Sequence, residues 1–358
     1  MRTRGIDWRG VRRVLVVRLR SIGDTVLCTP SLIALKRFLP DAKVDILLEE
    51  WVAPVLDGFE SVDHVLTVGP DASSRFAVAK QIRRHKYDVV FNLHGGTTAT
   101  FFVATSGARH RVGYKNYQYS FLYNNLLSSP SDFWKREPNH SAEQQLALLG
   151  FLGVPVEDRP KTNLAITESS LASLETKLDQ TFSLDEPFAI IHPLAALKTK
   201  EWQVDKFART AEFLNDKGLP VVAVGTMNDV EVLNEFRSLS RVPIFQVTNL
   251  SLPELAAFNS KARLFVGNDS GVAHIASAVQ TPSVVIFGSS NRDHWRPWTD
   301  APNEIVYNSF ACQPCPGREC KEFGDPKCIL TIPTENVFAA IDRVLTRSAA
   351  FHNELPPH

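Results

Sequence analysis

Short β-rich apolar runs alternate with amphipathic helical stretches along this chain, and the alternation runs its course twice. In the first half the runs are Val14–Val17, Val44–Leu48, His64–Val68 and Asp88–Leu93, with helical patterns at Ser31–Phe38, Ser74–His85 and His140–Gly153. Strands separated by helix-length connections dictate βαβ units and parallel sheets, because two parallel strands cannot be joined by a tight turn. From Val154 to Glu186 the pattern becomes mixed, with Pro155 and Pro160, and a linker is expected there. The alternation then restarts with strands at Ala189–Ile191, Val221–Val224, Ile244–Val247, Leu264–Val266 and Val284–Phe287. Helices are expected at Val204–Lys217 and Val230–Ser238, and Ser251-Leu-Pro-Glu254 is a capping box that starts another. Thr334–Arg347 reads as a terminal helix, with a tail that frays after Ala350. The fold class is therefore α/β, with two Rossmann-like, doubly wound domains. A chain of 358 residues has room for both. The expected division is 1–170, 171–333, and a C-terminal helix and tail at 334–358 that are free to pack back on the first domain.

Charge narrows the partners. Lys plus Arg equals Asp plus Glu at 39 each, so no global field argues for nucleic acid. The first twenty residues nevertheless carry Arg2, Arg4, Arg9, Arg12, Arg13, Arg18 and Arg20 against one acid, Asp7. Such an edge suits an anionic membrane surface or an acidic ligand, and equally a solvated terminus. No apolar run approaches the roughly 18 residues of a membrane span, and Val14–Val17 is too short for a signal-peptide core. Five cysteines, four of them bunched near the C-terminus, do not make a disulfide scaffold. A cytoplasmic protein resting on a membrane face is the expectation.

In doubly wound folds ligands bind at the carboxyl ends of the strands, so the residues just past each strand carry the information. Leu264–Asn268 runs into Asp269-Ser270-Gly271 and at once into a small-residue helix containing His274. Asp269 or Ser270 can cap that helix, Gly271 permits close approach, and the unpaired amides of the first turn form an anion site. An ordinary capped helix fits the same residues. After the first strand of the second half, the loop from His192 to Trp202 carries Lys198 and Lys200, either of which can neutralise a phosphate or simply face solvent. Asp229 and Glu231 follow another strand end, where an acid accepts from ribose hydroxyls or favours the helix dipole. No Asp-x-Asp occurs, so the paired carboxylates that usually cradle a metal-bound sugar diphosphate are missing. Cys312-x-x-Cys315, Cys320 and Cys328 contain one pair at zinc-ligand spacing, but the later spacings do not repeat it. A loop of reduced structural cysteines is the reading adopted over zinc.

Taken in order, these segments resemble glycosyltransferase family 9, the ADP-heptose:lipopolysaccharide heptosyltransferases. The resemblance rests on Arg18-Leu-Arg-Ser-Ile-Gly-Asp24 through Thr29-Pro30, Asn92-Leu-His-Gly95, Arg111-Val-Gly-Tyr114, His140, Lys200-Glu-Trp202 and Asn268-Asp-Ser-Gly-Val-Ala-His274. The cysteine loop ending Cys328-Ile-Leu-Thr-Ile-Pro looks like the tail of the heptosyltransferase II branch. The resemblance implies a GT-B fold whose two domains face each other across a cleft. It implies an inverting, metal-independent enzyme that moves heptose from ADP-heptose to the inner core of lipopolysaccharide, on its lipid A anchor. Asp24 would be the general base. Lys200, Asp229, Glu231, Asp269, Ser270, Gly271 and His274 would take the donor; Arg18, Arg20, Ser21, Gly23, His94, Arg111 and His140 would take the acceptor. No cofactor is expected, and the place of work is the cytoplasmic face of the inner membrane. The family's usual Glu-Arg after the histidine reads Glu143-Gln144, which removes one cation for an acidic acceptor. Transfer of another nucleotide sugar in surface-polysaccharide synthesis is the alternative. A sugar-nucleotide epimerase and a non-catalytic nucleotide-binding protein stand further off.

Overall fold

The computed structural model describes residues 5–137, 140–178, 182–315 and 317–354; Arg2 and Arg4 of the basic edge lie outside them, as does the end of the tail. The chain divides into two units, Met1–Ala165 and Ile166–His358. Each is built on a six-stranded sheet whose strand pairings are all parallel.

In the first unit the strands are β1 (Arg13–Leu19), β2 (Lys43–Glu49), β3 (His64–Val68), β4 (Val89–Asn92), β5 (His110–Tyr114) and β6 (Asn125–Leu127). Their helices are α1 (Ile22–Val26), α2 (Thr29–Phe38), α3 (Ala72–His85), α4 (Gly96–Thr105), α5 (Pro130–Trp134) and α6 (Ser141–Gly150). The sheet order is β3-β2-β1-β4-β5-β6. Val14 to Val17 are wholly buried, as a central strand covered on both faces requires. The chain leaves β1 toward β2 and later returns to β4 on the other side. The crevice above the carboxyl ends of β1 and β4 is therefore a topological switch point.

The second unit opens with α7 (Glu168–Leu178), inside the segment expected to be linker. It continues as β7 (Ala189–His192), α8 (Val204–Asp216), β8 (Val221–Val224), α9 (Val230–Leu239), β9 (Ile244–Val247), α10 (Leu252–Lys261) and β10 (Leu264–Asn268). Then come α11 (Gly271–Ala278), β11 (Ser283–Phe287), α12 (Arg292–Trp295), β12 (Asn303–Tyr307), α13 (Lys327–Leu330) and α14 (Thr334–Glu354). The order is β12-β11-β10-β7-β8-β9, which puts this unit's switch point between β7 and β10. Helix α14 runs past Ala350 to Glu354 rather than fraying there, and it packs on β11, β12 and α8. Phe338 of α14 stacks on Phe213 of α8 with ring centroids 4.2 Å apart.

Three strands, helix α4 and the short helices α1, α5, α12 and α13 are additions to the sequence reading. β5 is His-Arg-Val-Gly-Tyr, β6 has three residues, and β12 is an edge strand with only Val306 buried, so none shows a long apolar run. Helix α4 is Gly-Thr-Thr-Ala-Thr-Phe-Phe-Val-Ala-Thr, whose β-branched residues hide a helical signal. Among the described residues, no helix is long and apolar enough to cross a membrane.

Candidate functional site

At the first switch point one buried arginine organises the residues around it. Arg18, near the end of β1, donates from Nη1 to the Leu93 carbonyl just past β4, from Nε to the Asp24 carbonyl at 3.2 Å, and from Nη2 to Asp24 Oδ1. Asp24 stands not at the strand end but in the first turn of α1. Its Oδ2 accepts from Ser21 N at 3.3 Å and Ser21 Oγ at 2.9 Å, a reciprocal capping box. The carboxylate is thus held on both oxygens while its side chain stays 24% exposed. Helix capping and an accessible carboxylate coexist in one residue.

The other residues expected around the acceptor divide into accessible and committed ones. Arg20 is exposed, with Nε 3.7 Å from Glu49 Oε1. His94 is half-buried; its backbone amide donates to Asn92 Oδ1 at 3.0 Å, and its Nδ1 meets no hydrogen-bond partner among the described residues. Burial first, and the Arg18 charge second, lower its pKa and favour the neutral ring. Gly23 is buried inside α1. Arg111 donates to the carbonyls of Leu122 at 2.7 Å and Ala108 at 2.9 Å, which ties down the loop around β5. His140 is buried as the N-cap of α6, its Nδ1 accepting from Ala142 N at 3.1 Å. Next to it, buried Glu143 pairs with Arg136 and with Arg159 at 3.4 Å.

The second switch point carries a different chemistry. His192 closes β7, and its register partner on β10 is Gly267; Asn268 and the Asp269-Ser270 turn follow directly. Asn268 accepts from Trp202 N at 3.1 Å and donates to the Pro193 carbonyl at 2.8 Å, so β10 fixes both ends of the lysine loop. Lys200 Nζ lies 2.8 Å from Asp269 Oδ2, which also accepts from Ser290 Oγ at 2.5 Å. Lys198 instead points outward and pairs with Glu201. Asp269 is 5% exposed. That buried carboxylate thus engages both Lys200 and Ser290.

Ser270 is the N-cap of α11, yet no side chain caps that helix by a hydrogen bond. The first-turn amides therefore remain available to an anion beside the lysine. Ser270 Oγ lies 3.3 Å from His192 Nδ1. Burial pushes the His192 pKa down to about 4, with Asp229 acting weakly the other way, so the imidazole is neutral. The sequence reading passed over His192; its place as the last residue of the strand at the switch point was the available signal. Gly271 starts α11, and His274 is buried within it. Asp229 accepts from Thr226 N at 2.8 Å and Thr226 Oγ1 at 2.6 Å, whereas Glu231 is exposed on the first turn of α9.

Cys312, Cys315, Cys320 and Cys328 line one small cavity together with Thr199, Ser289 and others. All are free thiols. Burial, and then the three neighbouring sulfurs, push Cys328 up to about 11. Among the described residues, no group of three or more His, Cys, Asp or Glu is arranged to hold a metal ion. The loop's visible work is mechanical. Cys315 N donates to the Ser289 carbonyl at 2.9 Å, and Thr199 Oγ1 to the Gly317 carbonyl at 3.2 Å, next to Lys200.

The model of glycosyltransferase family 9 (heptosyltransferase) matches residues 75–324. The chain belongs to glycosyltransferase family 9. It is accordingly a glycosyltransferase, and each unit carries one candidate functional cluster at its switch point. Lipopolysaccharide heptosyltransferase 3 of Escherichia coli K12 is 28% identical over 350 residues, covering 92% of this chain and 97% of that protein. Among solved structures, a family 9 glycosyltransferase of Veillonella parvula superposes with a TM-score of 0.84 at 21% identity, covering 96% of this chain and 99% of that one. Escherichia coli ADP-heptose lipopolysaccharide heptosyltransferase II gives 0.78 at 20% identity, covering 94% and 99%. The two six-stranded units thus have the GT-B architecture of these family 9 structures.

Proposed function

We propose that this enzyme transfers heptose from ADP-heptose to the inner core of lipopolysaccharide, with inversion and without a metal, at the cytoplasmic face of the inner membrane. The observation that carries this reading is the second-unit cluster. An uncapped helix N-terminus, a lysine held by a buried carboxylate and a serine hydroxyl meet at one switch point, which suits a diphosphate without an Asp-x-Asp. The name and full-length similarity of the Escherichia coli relative support lipopolysaccharide core as the setting.

In this reading Lys200, Ser270 and the amides from Gly271 onward hold the diphosphate. Asp269 keeps Lys200 in position, and Glu231, exposed on the first turn of α9, takes the ribose, with Asp229 beside it accepting from Thr226 through Oδ2. Asp24 accepts the proton of an acceptor hydroxyl as that oxygen attacks the anomeric carbon. The bond from the anomeric carbon to the diphosphate oxygen breaks on the opposite side, and ADP leaves with the electron pair. Lys200 and the helix amides stabilise the growing charge; each such preorganised donor is worth roughly 100- to 1000-fold in rate. Arg18 acts through Asp24, as a positioning residue. Arg20 and His94 are the acceptor candidates with accessible or uncommitted polar atoms.

The test is to incubate the enzyme with ADP-heptose and a deacylated core oligosaccharide, and to follow ADP release and product mass. One added heptose per acceptor, undiminished by a chelator, is the expected product. Turnover only with another nucleotide sugar would move the enzyme to other surface polysaccharides. Sugar interconversion without acceptor would make it an epimerase.

A further inference from the structure

Helix α3 differs from the rest of this neutral chain. From Ala72 to Lys86 it carries Arg75, Lys80, Arg83, Arg84 and Lys86 and no acid. None of these five cations forms an ion pair with a carboxylate among the described residues. The helix buries Val78, Ala79 and Ile82 and leaves Phe76 68% exposed. At about 100° per residue, Phe76, Lys80, Arg83 and Arg84 fall within roughly 100° of arc, on the side away from the buried residues.

A cavity lies at each end of the helix. At the N-terminal end, an apolar pocket of about 340 Å³ is lined by Phe76, Phe101, Ala72, Thr97, Thr98 and Arg75. At the C-terminal end, an open pocket of about 570 Å³ is lined by Arg12, Arg13, Arg84, His85, Lys86 and Asp88. The single carboxylate of that second pocket is already engaged, since Asp88 Oδ2 accepts from the amides of Arg12 at 2.8 Å and Arg13 at 3.0 Å. Arg12 Nη1 donates to the carbonyls of Arg9 at 3.0 Å and Val11 at 3.3 Å, and none of the pocket's Arg and Lys side chains forms an ion pair with a carboxylate among the described residues. The helix itself has fourteen residues and is about 21 Å long.

We propose that α3 and the pockets at its two ends form a docking face for an anionic bilayer. Phe76 enters the headgroup–acyl boundary, and Arg12, Arg13, Arg84 and Lys86 receive lipid phosphates. A basic helix face with an aromatic residue and an adjoining apolar groove has the composition of an interfacial membrane helix, and the complementary surface is phosphate-rich and apolar beneath. A soluble polyanion would match the cations but leave Phe76 and the Phe101 groove unused. The inference deepens the proposed function, resting on its lipid-anchored acceptor, by naming the face that meets the bilayer.

The experiment is sedimentation of the full-length enzyme with two vesicle types at about 0.15 M salt. One is phosphatidylcholine alone; the other contains about 30 mol % phosphatidylglycerol. The wild-type enzyme is expected to bind the anionic vesicles and not the neutral ones. Arg84→Glu/Lys86→Glu is expected to weaken that binding by about thirtyfold or more, from roughly fivefold per cation. Phe76→Ser is expected to weaken it by about tenfold, the residual binding vanishing at high salt. Arg241→Glu, at a side chain 90% exposed in the second unit, serves as the control and is expected to bind as wild type. Circular dichroism checks that each variant is folded.

Equal binding to both vesicle types, no binding to either, or unchanged binding of both α3 variants would overturn the proposal. Heparin binding lost in the charge-reversal variant but unaffected by Phe76→Ser, with no vesicle binding, would assign the face to a soluble polyanion instead. Transfer to the deacylated acceptor is measured in parallel and is expected to be unchanged in the α3 variants. Docking without transfer would spare this inference and sink the proposed function; transfer without docking would do the reverse.

Discussion

Lys200 owes its position to Asp269, and that pair decides how a diphosphate could be held. Both residues were legible in the sequence as strand-end residues, but their pairing was not, because the two are 69 positions apart and meet only in the folded sheet. The commitments of Arg111 and His140 are nearer in sequence, to the carbonyls of Ala108 and Leu122 and the amide of Ala142, but depend on turn geometry that no residue pattern announces. Replacing Lys200 with Gln removes a charge-assisted contact, so the dissociation constant for ADP should rise by about 10- to 100-fold. Affinity for adenosine, which has no phosphate, should stay put; calorimetry on both ligands checks this. His192 allows a second test at the same scale. Its folded pKa of about 4 lies below the ordinary histidine value of 6.5, so below pH 6.5 the unfolded chain binds the proton that the folded chain refuses. The resulting stability is fully present above pH 6.5 and drains away as pH falls toward 4. In His192→Asn the wild-type slope in that window should shrink by up to about 1.4 kcal/mol per pH unit, as read from urea unfolding at several pH values.

Elements with strong local signals formed as read. The capping box opening α10 is present in full, with Ser251 N donating to Glu254 Oε2 at 2.6 Å. The structure adds a second duty for the same carboxylate, which accepts from Lys177 Nζ at 2.7 Å and Ser173 Oγ at 2.5 Å on α7. Burial alone would raise the Glu254 pKa, but these donors outweigh it and bring it to about 2. Glu254→Gln should therefore cost about 1–3 kcal/mol at neutral pH, visible as a lower urea midpoint with an unchanged slope. Close approach gives another element-scale test. A Cβ on Gly288, just past β11, would stand 2.2 Å from the Thr199 carbonyl. Gly288→Ala should push the Lys200 turn outward, lowering stability by about 1–3 kcal/mol and weakening ADP binding together. What stayed illegible at this scale was weakly patterned: the three-residue β6, the edge strand β12, and α7, which Thr167 caps by accepting from Ser170 N at 3.1 Å but which lies in a stretch of mixed pattern.

Across the whole molecule, the alternation of strands and helices was enough to anticipate two parallel sheets, because parallel pairing leaves few ways to connect such segments. Strand order was not legible, and it is the order that matters here. It places Arg18 and Asp24 at one switch point and His192, Lys200 and Ser270 at the other, although nothing local in those segments announces it. The resemblance to family 9 named these positions except His192, and the family match over residues 75–324 makes the enzyme class firm. The account's central claim is that the carboxylate held by Arg18 and Ser21 activates the acceptor while the second unit alone binds the donor. Steady-state transfer and ADP-heptose binding, both measured on Asp24→Asn, test it directly. The account predicts kcat lower by about 100- to 10,000-fold with donor affinity within about twofold of wild type. Undiminished kcat, or donor binding lost along with turnover, would contradict it.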